Sequence, residues 1–166
     1  MTDPSSTLSH RLVTHLTAAG QTVGCAESLT AGLVCATIAD TAGASVVLRG
    51  AVVAYAADVK SELLGVSAAL LDEVGTVDSQ VAQSMAEGAR RVLRATWGIA
   101  TTGVAGPGSA EGKPAGTVHV AVAGPSGTVT RQLLLHGPRD AVRRGAADGA
   151  LALALEFMTG VTSAGA

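Results

Sequence analysis

Three side chains from separate stretches of this chain could together cleave an amide or an ester: Ser28, Tyr55 and Lys60. Ser28 lies in Ala26-Glu27-Ser28-Leu29-Thr30-Ala31-Gly32. The apolar run before it, 22–26, reads as a short buried strand, and the run after it, 33–39, reads as a helix. A serine on a strand-to-helix turn faces unpaired backbone N–H groups and the positive end of the helix dipole. Those groups could stabilise an oxyanion formed when the hydroxyl attacks a carbonyl. They could equally hold a phosphate, or the serine could do no more than cap the helix, and the segment alone leaves all three readings open. Tyr55 is the only tyrosine, and Lys60 and Lys113 are the only lysines. Tyr55 closes a Val-rich strand, 46–55, and Lys60 follows five residues later, so both sit at one end of that strand. If it runs parallel to the strand before Ser28, that end is the carboxyl end of the sheet, where α/β sites gather. A lysine whose pKa is lowered by burial can deprotonate a serine, and a tyrosine hydroxyl can relay the proton or hold a substrate. The plainer alternative makes Tyr55 a half-buried aromatic and Lys60 a solvated helix residue.

Two further segments could complete a site. Thr101-Thr102-Gly103 ends a strand and opens a loop that runs to Gly116, punctuated by glycines, Pro107 and Pro114. Such a loop can turn backbone N–H groups into a cleft, and such nests favour anions. It matches neither a dinucleotide fingerprint nor a P-loop, and a mobile surface loop is the alternative. Gly137-Pro138-Arg139-Asp140-Ala141-Val142-Arg143-Arg144 opens the last helix and puts Arg139 and Arg143 on one face. Two guanidiniums at a helix start oppose its dipole. That arrangement makes sense if they bind a phosphate or carboxylate; pairing with Asp140 or another acid is the plainer reading.

The elements that must position these residues follow from composition and periodicity. With 166 residues, 48% hydrophobic and 14% charged, the chain has enough apolar surface for one core. Aromatics make up 2%, so that core is Ala, Val and Leu. A formal charge of -2 leaves no basic footprint for nucleic acid. Cys25 and Cys35 sit in apolar runs and read as small buried hydrophobes. His10, His15, His119 and His136 have no metal-ligand spacing with them, so no metal or cofactor is expected. His119 alternates with Val118 and Val120 and reads as an ordinary hydrogen-bonded strand histidine. No run approaches the ~20 apolar residues that span a bilayer, and no signal layout opens the chain, so a cytoplasmic protein without a membrane partner is expected. Leu8, Leu12 and Leu16 mark an amphipathic helix over 7–19; short helices are expected at 58–64 and 68–74. Asp78 or Ser79 caps a longer helix to about residue 95, with Arg90, Arg91 and Arg94 as a solvated basic end. Strands are expected at 97–102 and as a hairpin of 117–123 and 129–135, with a last helix over 138–158. The 46–55 strand carries a candidate bulge at Gly50. This order predicts a three-layer α/β/α sandwich whose mixed sheet is mainly parallel at its centre and antiparallel toward one edge. Residues 7–159 form its single domain, 1–6 a flexible lead and 160–166 a flexible tail. An Ala/Gly-rich surface is compatible with close helix packing between subunits, which leaves a homo-oligomer open.

The ordered set of motifs resembles the CinA C-terminal domain family, whose enzymatic members are nicotinamide-nucleotide amidohydrolases. The pieces are Ala26-Glu27-Ser28-x-Thr30-x-Gly32, Gly50-x4-Tyr55-x4-Lys60-x4-Gly65-Val66, Gly75-x-Val77, Thr102-Gly103-Val104-Ala105-Gly106-Pro107, Lys113-Pro114-x-Gly116-Thr117-Val118 and Arg139-Asp140-x-Val142-Arg143. Full-length family proteins carry an additional N-terminal domain for which this chain has no room, so it resembles the stand-alone form. The resemblance implies an α/β/α fold and metal-free hydrolysis of the carboxamide of nicotinamide mononucleotide to nicotinate mononucleotide and ammonia. It implies Ser28 as nucleophile, Lys60 as general base and Tyr55 as an aid to proton transfer or positioning. The nucleotide pocket would then draw on Glu27, Thr30, Gly32, Thr102, Gly103, Ala105, Gly106 and an arginine, Arg139 or Arg143. Leu29, Ala31 and Asp78 depart from the family pattern of Cys, Gly and Ser. The alternative is a non-catalytic nucleotide-binding or protein-interaction module of the same fold.

Overall fold

The structure, a computed structural model, describes residues 7–160; the lead 1–6 and the tail beyond Gly160 lie outside the described residues. The elements run α1 (Leu8–Ala19), β1 (Val23–Glu27), α2 (Leu33–Ala39), α3 (Ala44–Val47), β2 (Leu48–Val53), α4 (Ala57–Leu64), α5 (Ala68–Val74) and α6 (Ser79–Val92). They continue with β3 (Trp97–Gly103), β4 (Thr117–Gly124), β5 (Gly127–Leu134) and α7 (Arg139–Thr159). The sheet order is β2-β1-β3-β4-β5. β1 pairs in parallel with both β2 and β3, and β3-β4-β5 is antiparallel. This is the mixed, three-layer α/β/α sheet that the alternation of elements predicted. Among the described residues no helix is long and apolar enough to cross a membrane.

Alternation along the strands separates two cores. Cys25, Ile99, Val118, Val120 and Val122 face the layer of α1, α2, α3 and α7. Ala26, Ala100, Ala121 and Ala123 face α4 and α6. The second face is built from small side chains, so α6 lies close on the sheet: a Cβ at Gly98 would meet the Ala86 carbonyl oxygen at 2.0 Å. Asp78 caps α6 by accepting from the Gln80 N–H.

Three expectations are corrected. The strand expected from residue 46 begins at Leu48, because Ala44 and Val47 are buried as the inner face of the short α3, and that packing overrides the strand preference of valine. The bulge survives: the register skips from Leu48 to Gly50, which has φ +136°. α6 ends at Val92, since Arg94 has φ +50° and turns the chain back. Its basic end is not merely solvated. Arg90 donates to the carbonyls of Thr96 and Gly124, and Arg91 donates to that of Leu64 at the end of α4.

Candidate active site

Ser28 follows the last residue of β1 and is held between the two parallel neighbours. Its N–H donates to the Thr101 carbonyl of β3 at 3.0 Å, while the Glu27 carbonyl accepts from the Ala54 N–H beyond β2 at 2.9 Å. Lys60 enters from the first turns of α4, immediately after β2, and its side chain has no exposed surface. Its Nζ lies 3.0 Å from Ser28 Oγ, 2.8 Å from the Ala54 carbonyl oxygen and 3.0 Å from that of Tyr55. Burial lowers the ammonium from the ordinary lysine range to about 8, against the opposing pull of the Glu111 carboxylate. A neutral amine has two N–H donors and one lone pair. The two carbonyls can only accept, so they retain the N–H groups and direct the lone pair at the serine hydroxyl.

The turn after Ser28 is fixed from three sides. The Glu27 carboxylate is fully buried and accepts from the N–H groups of Gly32, Val34 and Cys35 at 2.9, 3.0 and 2.8 Å. Thr30 Oγ1 bonds Thr101 Oγ1 of β3 at 2.7 Å. Arg143 of α7 donates to the carbonyls of Leu29 and Thr30, both at 2.9 Å. The start of α2 is therefore saturated by Glu27, and Ser28 does not cap it: the helix begins at Leu33, with Gly32 (φ +98°) before it. Among the described residues, the N–H groups of Leu29 and Thr30 have no protein acceptor. They are the donors left free beside the Ser28 hydroxyl.

Several of the expected substrate residues make contacts within the protein. The side chains of Glu27 and Thr30 and the N–H of Gly32 are engaged within the turn. Thr102 Oγ1 donates to the Thr76 carbonyl at 2.7 Å. Arg143 is bound to the turn, and Asp140 pairs with Arg144, leaving Arg139 as the outward guanidinium. Tyr55 takes part through two different groups. Its carbonyl, not its phenol, touches Lys60, and its exposed ring reaches Arg139, whose NH2 group donates to Tyr55 Oη at 2.8 Å. Arg139 also donates to the Gly106 carbonyl at 2.6 Å. Tyr55, Arg139, Gly103, Ala105 and Gly106 line a cleft of about 220 Å³. Tyr55 thus joins the two places, with its carbonyl on Lys60 and its ring in the cleft.

The departures also find their places. Leu29 is buried in the core on the α7 side. Ala31 takes a left-handed φ of +50°, a conformation that glycine adopts without strain. His119 is buried on β4 with Nδ1 unpartnered, contrary to the hydrogen-bonded histidine expected, and Thr117 Oγ1 on the same face is also unpartnered. Burial lowers the His119 pKa; Asp78 opposes this and Lys113 adds to it. Glu111 was not among the expected site residues; its one sequence signal is that it is the sole acid in the Gly-rich loop.

The family model described as CinA C-terminal domain matches residues 5–158. A CinA-like protein of Anaeromyxobacter dehalogenans is 51% identical over 143 residues, covering 86% of this chain and 35% of the relative. A CinA-like protein of Frankia casuarinae is 47% identical over 140 residues, covering 84% and 32%. The chain spans about a third of the length of these curated relatives. Among solved structures, a competence/damage-inducible protein from Agrobacterium tumefaciens matches with a TM-score of 0.85 at 35% identity, covering 90% of this chain and 93% of that one. Competence damage-inducible protein A from Klebsiella pneumoniae matches with a TM-score of 0.89 at 29% identity, covering 93% and 97%.

Proposed function

This chain belongs to the CinA C-terminal domain family, and on that premise we propose that it is an amidohydrolase that deamidates nicotinamide mononucleotide to nicotinate mononucleotide and ammonia. The observation that carries the reading is the unexposed Lys60 amine, 3.0 Å from Ser28 Oγ and held by two carbonyls. Burial makes it a base that is partly neutral near physiological pH.

In this mechanism Ser28 Oγ attacks the carboxamide carbon while Lys60 takes the hydroxyl proton. The N–H groups of Leu29 and Thr30 receive the oxyanion, and because the turn is already held by Glu27, Thr101 and Arg143, little reorganisation is needed. Collapse of the tetrahedral intermediate breaks the C–N bond, and the Lys60 ammonium returns the proton to the leaving ammonia. Water then attacks the Ser28 ester, giving up its proton through Lys60, and releases the carboxylate. Arg139 binds the 5′-phosphate. Its guanidinium, bonded to Tyr55 Oη and the Gly106 carbonyl at the wall of the cleft, exchanges these acceptors for the phosphate. Tyr55 then positions the substrate.

Ammonia release from the mononucleotide and from free nicotinamide, alongside acid release from a simple ester, tests the reading. Turnover of the mononucleotide in preference to the other two is expected. Binding of the mononucleotide without turnover would favour a non-catalytic nucleotide-binding module, and indiscriminate turnover would favour a general esterase or amidase.

A further inference from the structure

The loop between β3 and β4 carries a residue that conflicts with its local conformation. Ala110 and Lys113 exchange backbone hydrogen bonds at 3.0 and 2.9 Å, closing a tight turn. Its two central residues, Glu111 and Gly112, have φ +52° and +72°. Positive φ at both positions is the pattern of a type I′ turn, which favours Asn-Gly or Gly-Gly. A residue with a β-carbon is strained there, and such outliers point from geometry toward function. What the glutamate gains is explicit. Its carboxylate accepts from the Thr76 N–H at 2.8 Å, the Thr76 hydroxyl at 2.7 Å and the Val77 N–H at 3.2 Å, in the connection between α5 and α6. Gly75 leaves room for it, since a Cβ there would meet Glu111 Oε2 at 2.4 Å. Two residues on, Lys113 Nζ donates to the Val74 carbonyl at 3.1 Å, at the end of α5. The loop that walls the cleft is thus clasped by an anion before one helix and a cation after another, each suited to the dipole it meets.

We propose that Glu111 is a positioning residue for the Ser28–Lys60 pair: its carboxylate clasps the 103–116 loop to the α5–α6 connection and presents a fixed negative charge to Lys60. The proposal rests on the reading of Lys60 as the base but extends it to a residue outside the pair. Several groups stand around Lys60. The strand ends bring the Ser28 hydroxyl and the carbonyls of Ala54 and Tyr55, and α4 itself carries the exposed Asp58 and Glu62. α6, which packs against α4, carries Asp78, bonded to the Gln80 N–H, and Arg91, bonded to Leu64. The loop brings Glu111 and Lys113, and Glu111 is the charge that acts on Lys60, favouring its protonated form. Partial burial pushes the Glu111 carboxyl upward. The Thr76 and Val77 donors, with Lys113, outweigh that and bring it below the ordinary range, so it stays ionised where Lys60 titrates.

The test needs no turnover. With two lysines in the chain, the Cε signals of labelled lysine give two titrations, assigned through Lys113→Arg. Glu111→Gln, which keeps an acceptor for Thr76 but removes the charge, should lower the Lys60 midpoint by about half a unit or more. Glu111→Asp should retain most of the wild-type midpoint. Glu111→Ala should also release the clasp, raising amide exchange at Thr76 and Val77 about 10-fold or more. A Lys60 midpoint unchanged in both the Gln and the Ala variants, or unchanged exchange in the Ala variant, would overturn the proposal. If the chain releases no ammonia yet Lys60 responds as described, the amidohydrolase reading fails alone; if it turns over and Lys60 is indifferent to Glu111, this inference fails alone.

Discussion

An ammonium with a midpoint of about 8 is mostly protonated at neutral pH, so the rate carried by Lys60 must follow its neutral fraction. The kcat/KM for the mononucleotide should rise with pH and level off above about 8, and the acid limb should carry a single proton. Lys60→Arg should lose at least ~10³-fold at neutral pH, because a guanidinium cannot serve as a base. Its desolvation also acts on stability. The folded-state pKa lies below the ~10.4 of an unfolded lysine, so between those values the unfolded chain binds more protons and stability rises with pH. Urea unfolding of wild type against Lys60→Met should therefore show the difference in unfolding free energy shifting toward wild type between about pH 8 and ~10. Little of this was readable from the lysine itself. Its spacing from Tyr55 put it at the right strand end, but nothing in the sequence says that the Tyr55 carbonyl, and not its phenol, meets the amine. A one-dimensional pattern names side chains and is silent about backbone acceptors.

The five-residue turn after β1 is where local preference and function part company. Ala31 holds a left-handed φ of +50°, a conformation that costs a non-glycine residue about 1 kcal/mol. Ala31→Gly should accordingly raise the stability by a few tenths to ~1 kcal/mol, the larger freedom of glycine in the unfolded chain offsetting part of the relief; chemical denaturation reads this directly. Glu27 acts in the opposite sense. Three N–H groups converge on its carboxylate, two of them from the first turn of α2, so Glu27→Ala should cost about 2–3 kcal/mol by thermal unfolding, beyond an ordinary cap. The sequence marked this segment as the turn that matters, yet it suggested a serine beside a helix dipole. The acid one residue earlier takes that role because β1 ends with its side chain turned toward α2, and only the register of the sheet decides which of Glu27 and Ser28 faces which layer.

Across the whole molecule, the alternation of helix and strand sufficed for the layer order and for the parallel-then-antiparallel sheet, since most strand runs and helical periods could be told apart. What it could not supply was the meeting of the two helical layers over the carboxyl ends of the strands. Tyr55 arrives from the α4 side and Arg139 from α7, and they touch at 2.8 Å across 84 residues of sequence. A cleft assembled from both layers predicts that Arg139→Ala raises KM for the mononucleotide about 10-fold or more, the scale of a charge-assisted contact. The same change should leave KM for a phosphate-free nicotinamide nucleoside nearly unaltered. Steady-state ammonia assays on the two substrates separate phosphate recognition from general damage to the fold.

In the proposed mechanism the Ser28 hydroxyl, activated by Lys60, forms the bond to the carboxamide carbon. Ammonia release from nicotinamide mononucleotide by wild type and by folded Ser28→Ala tests it most directly. Wild type should turn over, and the variant should lose at least ~10³-fold. Turnover by Ser28→Ala at the wild-type rate would contradict it.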